Sequence, residues 1–344
     1  MTVSPIAIFR VDASEKIGGG HVVRCLALAD SLRERGWRCR LATRRPTLAS
    51  IPILANSVHE ILLLEGGEED EHEAIHACVG TADLTVVDHY GRDRDYETRA
   101  REWSKRIFAI DDMPNRPHDA DLLLDQTFGR KAEEYAGLVP PSAHLLLGSI
   151  FALLRPEFAE MRERSLARRM STKQVKRVLV SLGVGGRTDL VPRILNAIGT
   201  SGLDLEICLV RGSGQDDDAL SAAIAAIPQN VHRVEFAADM AEIMFEADIS
   251  IGAAGSTTWE RCCLGLPCIM LVLADNQERI AEEIGRASAG LIVRDVGDQL
   301  EDTVSEELRS LVQDDDRRLR MVAACTAICD GLGCERVVEE IVAG

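Results

Sequence analysis

The chain has 344 residues, of which 46% are apolar and 28% charged, with a formal net charge of −17. That length accommodates two domains with separate cores, and the composition is that of an ordinary globular protein. The acidic balance and an aromatic content of only 4% argue against a nucleic-acid-binding or anionic-membrane-binding surface.

In chain order, Ile6 to Val11 reads as a buried strand, Ile17-Gly18-Gly19-Gly20 as a tight loop, and His21 to Arg35 as a helix ending at Gly36. Glycines at such a turn let a ligand approach the backbone, and the helix start offers unpaired N–H groups. His21 can titrate near neutral pH and act as a base; it can equally cap its helix or pack in the core. Val23 stands where a dinucleotide fingerprint needs its third glycine, so a nicotinamide cofactor is not implied.

Cys39 to Thr43 is the next strand, and Ile61 to Leu64 is a strand-sized apolar run. Leu84 to Val87 ends in Asp88-His89-Tyr90, Ile107 to Ile110 in Asp111-Asp112, Leu122 to Leu124 in Asp125-Gln126, and Leu145 to Leu147 in Gly148. Strands without polar alternation, separated by helices, predict a parallel sheet covered on both faces. Tyr90, at a strand terminus, either orients a polar ligand or packs. Asp111-Asp112 runs into Met113-Pro114-Asn115, a turn, so these carboxylates read as loop anchors rather than metal ligands.

Glu160 to Arg177 is rich in basic residues and poor in large apolar ones, and reads as an interdomain connection. Beyond it the alternation restarts. Val178 to Leu182 precedes Gly183-Val184-Gly185-Gly186, Leu205 to Val210 precedes Arg211-Gly212-Ser213-Gly214, and Val231 to Phe236 is a short strand. Ile249 to Ile251 leads into Gly252-Ala253-Ala254-Gly255-Ser256-Thr257-Thr258-Trp259-Glu260, and Cys268 to Val272 leads toward Asp275-Asn276-Gln277. The expected organisation is a first domain over 1–160, a linker over 161–177 and a second domain over 178–344, each an open α/β sheet. Such sheets bind ligands beyond the carboxyl ends of their strands.

The Gly255 segment suits a diphosphate: backbone N–H groups and the Ser256 or Thr257 hydroxyl can face its oxygens. Glu260 can accept two hydrogen bonds from a ribose diol, or simply favour the helix start. Gly183 to Gly186 is a tight turn or a ligand loop, and Asn276 and Gln277 offer paired donors and acceptors for sugar groups. The ten cysteines include no C-x-x-C pair and read as buried, reduced residues of a cytoplasmic protein, not as zinc ligands. No signal peptide is evident, and no apolar run approaches the ~20 residues of a membrane span.

Taken together, ordered segments across nearly the whole chain resemble the UDP-2,4-diacetamido-2,4,6-trideoxy-β-L-altropyranose hydrolase family of pseudaminic acid biosynthesis. They are Arg10-Val11-Asp12, Ile17 to Cys25, Val87-Asp88-His89-Tyr90-Gly91, Ile110-Asp111-Asp112, Asp121 to Gln126 and Leu138-Val139-Pro140. Ala152-Leu153-Leu154-Arg155-Pro156-Glu157-Phe158, Gly252 to Leu266 and Asn276-Gln277 complete the set. Gly148-Ser149-Ile150-Phe151 departs from it, since the relatives often carry proline and tyrosine there.

The resemblance implies a glycosyltransferase B fold, two Rossmann-like domains facing a central cleft. It implies that His21 is the catalytic base, that Tyr90 and Asn276 contact the sugar, and that Phe236 to Met240 line the uracil. Ser256, Thr257 and Glu260 fall where the relatives hold diphosphate and ribose. With these, the expected substrate-binding set comprises Gly19, Gly20, Arg24, Tyr90, Gly186, Met240, Gly255, Ser256, Thr257, Glu260, Asn276 and Gln277. The implied partner is a UDP-sugar, without metal or cofactor; the acidic composition argues against nucleic-acid and membrane partners, and a monomer is expected of it. A glycosyltransferase of the same fold and a noncatalytic nucleotide-sugar binding module are the competing expectations.

Overall fold

The computed structural model describes residues 4–14, 17–67, 70–183, 187, 189–211, 218–235 and 239–343. They divide into two compact units, one of residues 1–155 with 332–344, the other of residues 156–331.

The first unit is built on seven strands: β1 (Ile6–Val11), β2 (Arg38–Arg44), β3 (Glu60–Leu64), β4 (Leu84–Asp88), β5 (Ile107–Ile110), β6 (Leu122–Asp125) and β7 (His144–Leu147). Their order is β3-β2-β1-β4-β5-β6-β7, with every neighbouring pair parallel. β4, β5 and β6 are buried along their whole length, as their continuous apolar runs require of a sheet covered on both faces. Ile8, Val87, Ala109, Leu123, Trp103 and Tyr135 belong to one continuous core.

The second unit carries β8 (Arg177–Ser181), β9 (Glu206–Arg211), β10 (Val231–Glu235), β11 (Ile249–Ala253), β12 (Cys268–Leu271) and β13 (Leu291–Val293). Their order is β10-β9-β8-β11-β12-β13, again all parallel. In both sheets the strand order reverses once, between β1 and β4 and between β8 and β11. Ligands of open α/β sheets settle at such switch points, outside the carboxyl ends of the strands.

The domain boundaries differ from the expected ones at two places. Residues 161–177 are not a connection: the helix Pro156–Ser171 and the start of β8 lie within the second unit. Two of its arginines satisfy carbonyls. Arg162 donates to the Cys263, Thr326 and Cys329 carbonyls, and Arg169 to those of Met244, Ala247 and Leu264. At the other end, the helix Gly333–Ala343 belongs to the first unit, not the second. It buries Cys334, Val337, Val338 and Ile341, and the Ile341 carbonyl accepts from Arg106.

Candidate functional site

Both switch points carry the residues singled out from the sequence. At the first, β1 passes through the glycine loop into the helix Gly20–Glu34, which sets His21 in its first turn and Arg24 one turn later on the same face. β4, paired with β1 through Val11 and Asp88, ends at Asp88. The three side chains meet. His21 Nδ1 lies 2.5 Å from Asp88 Oδ1, and Arg24 grips the same carboxylate bidentately, Nε to Oδ2 at 2.7 Å and Nη2 to Oδ1 at 2.7 Å. The Cys25 thiol donates to Oδ2 at 3.4 Å.

This geometry decides the histidine's proton. Burial would raise the Asp88 carboxyl, but the Arg24 guanidinium and the His21 ring outweigh it and hold the group below the usual carboxylate range. An ionised oxygen at 2.5 Å cannot face the imidazole lone pair, so Nδ1 carries hydrogen and donates, and in the neutral ring the lone pair is then the one on Nε2. Burial would lower the Arg24 guanidinium, and Asp88 and Asp112 raise it instead.

Tyr90, two residues past β4, stands edge-on to His21 with ring centroids 4.8 Å apart. Its hydroxyl donates to Asp112 Oδ1 at 2.7 Å, and the Arg116 guanidinium lies over its face. The His21 side chain keeps 7% of its surface exposed, and Tyr90 is half-buried. Gly19 and Gly20 form the helix start, where no side chain caps the backbone. Arg24, expected among the substrate contacts, is buried against carboxylates of its own chain.

The strand-terminal aspartates are each engaged. Asp12 accepts from Thr43 and the Arg44 backbone and pairs with Arg10; Asp111 lies between His118 and Arg116; Asp125 accepts from Arg130 and Tyr135. Among the described residues, no group of three or more His, Cys, Asp and Glu side chains is arranged to hold a metal ion.

At the second switch point, β11 runs into Ala254 and Gly255, and the helix Thr257–Cys263 follows. Gly255, Ser256 and Thr257 are half-buried, and Thr258, Trp259 and Glu260 are buried. The Ser256 side chain makes no capping hydrogen bond, so its hydroxyl is not committed to the helix. Arg261 braces the turn from behind, donating to the Ala253 carbonyl at 2.5 Å. The neighbouring β12 feeds the loop with Asn276 and Gln277; Gln277 Oε1 accepts from the Leu273 backbone at 2.9 Å and so closes that loop. Met240 opens the helix Met240–Glu246, which leads from edge strand β10 to β11. Gly186 and residues 236–238 of the expected uracil segment lie outside the described residues.

Sequence reading placed Asp88 at a strand end without assigning it to His21, 67 residues away. A histidine opening the helix after one strand and an aspartate ending its parallel neighbour are the available signal.

Residues 178–329 match the model of the glycosyltransferase family 28 C-terminal domain. The chain is 32% identical over 157 residues to the UDP-2,4-diacetamido-2,4,6-trideoxy-beta-L-altropyranose hydrolase of Campylobacter jejuni, a stretch covering 44% of this chain and 52% of that one. The chain thus spans about half the length of that relative. Over 341 residues it is 25% identical to the spore coat polysaccharide biosynthesis protein SpsG of Bacillus subtilis, covering 96% of both. The crystal structure of Acinetobacter baumannii MurG superposes with a TM-score of 0.68 at 16% identity, covering 99% of this chain and all of the other. This chain therefore has the glycosyltransferase B fold, with the family 28 C-terminal-domain pattern in its second unit.

Proposed function

We propose that the protein hydrolyses UDP-2,4-diacetamido-2,4,6-trideoxy-β-L-altropyranose to UDP and 2,4-diacetamido-2,4,6-trideoxy-L-altrose, as in pseudaminic acid biosynthesis. One observation carries the reading: an imidazole at the first switch point, tied at Nδ1 to a buried ionised carboxylate, so that Nε2 is the nitrogen that serves as base in the neutral ring. The likeness to the Campylobacter jejuni hydrolase supports the choice of sugar.

In this reading UDP binds the second unit. Its diphosphate takes the backbone of the Gly255 turn and the Ser256 and Thr257 hydroxyls, its ribose Glu260, and its uracil the Met240 segment. Asn276 and Gln277 are the sugar contacts proposed on that unit, and Gly19, Gly20 and Tyr90 those proposed on the first. His21 Nε2 takes a proton from water while the oxygen attacks the anomeric carbon. The C1–O bond to the diphosphate breaks, its electron pair leaves with UDP, and the configuration inverts. General-base help of this kind is worth ~10²–10⁴-fold.

The test is NMR observation of the UDP-sugar incubated with the protein and no acceptor. Release of UDP together with free reducing sugar of inverted configuration is expected, and it is lost in His21→Asn and His21→Phe while UDP affinity stays within ~2-fold, since these substitutions remove only the base. Unchanged turnover in either variant removes His21 from the reaction. The family 28 match over residues 178–329 favours a second reading, transfer of the sugar to an acceptor hydroxyl. That reading predicts no more than slow UDP release until an acceptor is added.

A further inference from the structure

The Arg24 guanidinium touches both the carboxylate that holds His21 and the carboxylate that holds Tyr90. It binds Asp88 bidentately and lies with Nη1 3.5 Å from Asp112 Oδ2. Asp88 in turn holds the His21 ring, and Asp112 accepts from the Tyr90 hydroxyl. His21 and Tyr90 touch edge to face. The five side chains close a ring: His21, Asp88, Arg24, Asp112, Tyr90. Arg24 is 4% exposed, and its Nε and Nη2 hydrogens are directed to Asp88.

We infer that Arg24 is a positioning residue that sets the base and the tyrosine together, rather than a substrate contact. The inference deepens the hydrolase reading and rests on His21 being its base.

A carboxylate at the end of a strand can rotate about its terminal torsion, which is broad and roughly two-fold. Each Asp88 oxygen here takes one arm of a planar fork, so rotation would break two charge-assisted bonds at once. A carboxylate fixed in this plane offers Oδ1 to only one imidazole nitrogen, and the tautomer follows. The 3.1 Å approach of Arg24 Nη2 to His21 Nδ1 is a consequence of both donating to the same oxygen, because a protonated Nδ1 has no lone pair to accept with. Through Asp112 the same cation holds the acceptor of the Tyr90 hydroxyl. A lysine, as a point charge without the fork, would keep the charge and lose the plane.

The experiment is ¹⁵N–¹H NMR of the histidine rings in the full chain without substrate, combined with kinetics. Wild type is expected to show His21 protonated at Nδ1, with Nε2 carrying the chemical shift of an unprotonated ring nitrogen. Arg24→Ala is expected to give mixed tautomers and a fall in kcat of ~10-fold or more, within the range general-base catalysis supplies. UDP affinity should move less than ~2-fold, as the nucleotide is assigned to other residues. Added guanidinium should restore both the tautomer and part of kcat; Arg24→Lys should recover neither fully. If Arg24→Ala unfolds, Arg24→Lys carries the test, because it keeps the charge and loses the fork that fixes the Asp88 plane. A wild-type tautomer in both Arg24→Ala and Arg24→Lys overturns the inference. So does a loss of UDP affinity larger than the loss of kcat, which would make Arg24 a substrate contact. The tautomer measurement needs no turnover, so absence of hydrolysis in wild type would refute the reaction and leave the positioning role separately decided.

Discussion

Gly252 and Gly255, three residues apart at the end of β11, are glycines for opposite reasons. A Cβ on Gly252 would meet the Arg261 guanidinium and would lie 2.6 Å from the Ser181 carbonyl oxygen, whereas a Cβ on Gly255 meets no atom within 4 Å. Gly255 also has no positive φ. Packing therefore dictates the first glycine, and neither packing nor backbone conformation dictates the second. Space left open at a switch-point turn is where a ligand's oxygens would approach. Gly252→Ala should destabilise by about 1–3 kcal/mol, the usual cost of overpacking, read as a lower denaturant midpoint. Gly255→Val should keep the wild-type midpoint and weaken UDP binding at least ~10-fold, about 1.4 kcal/mol, read by calorimetry. Wild-type UDP affinity in Gly255→Val would remove the turn from the nucleotide site.

The proposed ribose contact makes a separate prediction for Glu260, which is buried in the first turn of the helix Thr257–Cys263. A helix-start carboxylate contributes ~0.3–1 kcal/mol of stability, and its loss would not depend on which nucleotide is present. A carboxylate that accepts from both ribose hydroxyls distinguishes UDP from 2′-deoxy-UDP. Wild type should prefer UDP by ~10-fold, on the scale of a charged hydrogen bond of about 1.5–3 kcal/mol, and Glu260→Gln should shrink that preference toward unity. Equal discrimination in the two proteins would leave Glu260 with a role in the helix only.

The strands were legible because their chemistry is local. Val86 and Val87, Leu123 and Leu124, and Ile249 and Ile251 lie in apolar runs bounded by polar or small residues, and each sits in a fully buried strand. The glycine turns, and the strand ends that precede them, followed from the same reading. The partners did not. Asp88 and His21 are 67 positions apart, and Glu71, which gathers Arg10, Arg44 and Arg92, lies 61 positions beyond Arg10. Parallel pairing of β1 with β4 creates the first meeting and the helix Glu71–Val79 the second, and neither can be read from composition. The stretch around Arg162 to Arg169 misled for a related reason. A run of arginines looks solvated when its acceptors are carbonyls 75 to 167 residues away.

Arg169 shows how much that stretch matters. Its guanidinium donates to the Leu264 carbonyl at 2.7 Å, the Ala247 carbonyl at 2.8 Å and the Met244 carbonyl at 2.7 Å. It thereby satisfies the carboxyl ends of two helices, Met240–Glu246 and Thr257–Cys263. Arg169→Met would fill much of the volume and leave three acceptors buried without this donor. A loss of about 3 kcal/mol or more is expected, since each buried acceptor left unpaired costs about 1–3 kcal/mol, measured by urea unfolding. Arg169→Lys should recover only part of it, since an ammonium cannot span the fork. A loss below ~1 kcal/mol, within the range of an ordinary surface change, would mean that water replaces the guanidinium.

His118 gives the protein a stability that depends on pH. Its Nδ1 lies 2.8 Å from Glu97 Oε1 and its Nε2 3.0 Å from Asp111 Oδ2, and the ring is 2% exposed. Burial works against the charged ring, but hydrogen bonds and charge from Asp111 and Glu97 prevail and push it up to about 9. Arg116, paired with Asp111 at 3.1 Å, faces the same cluster and tempers the negative field. In the unfolded chain the ring titrates near ~6.5. The folded state thus binds the proton more tightly, and the stabilisation is complete below about pH 6.5 and lost as pH rises through about 9. The full effect is on the order of 3 kcal/mol. His118→Gln removes the titration, so the stability gap between wild type and variant should narrow from pH 6.5 to pH 9.5, by ~2–3 kcal/mol. Taking the difference cancels the cysteines and other groups that titrate alike in both proteins. A gap constant across that range would show that folding binds no extra proton at this cluster and that His118 is already neutral at pH 7.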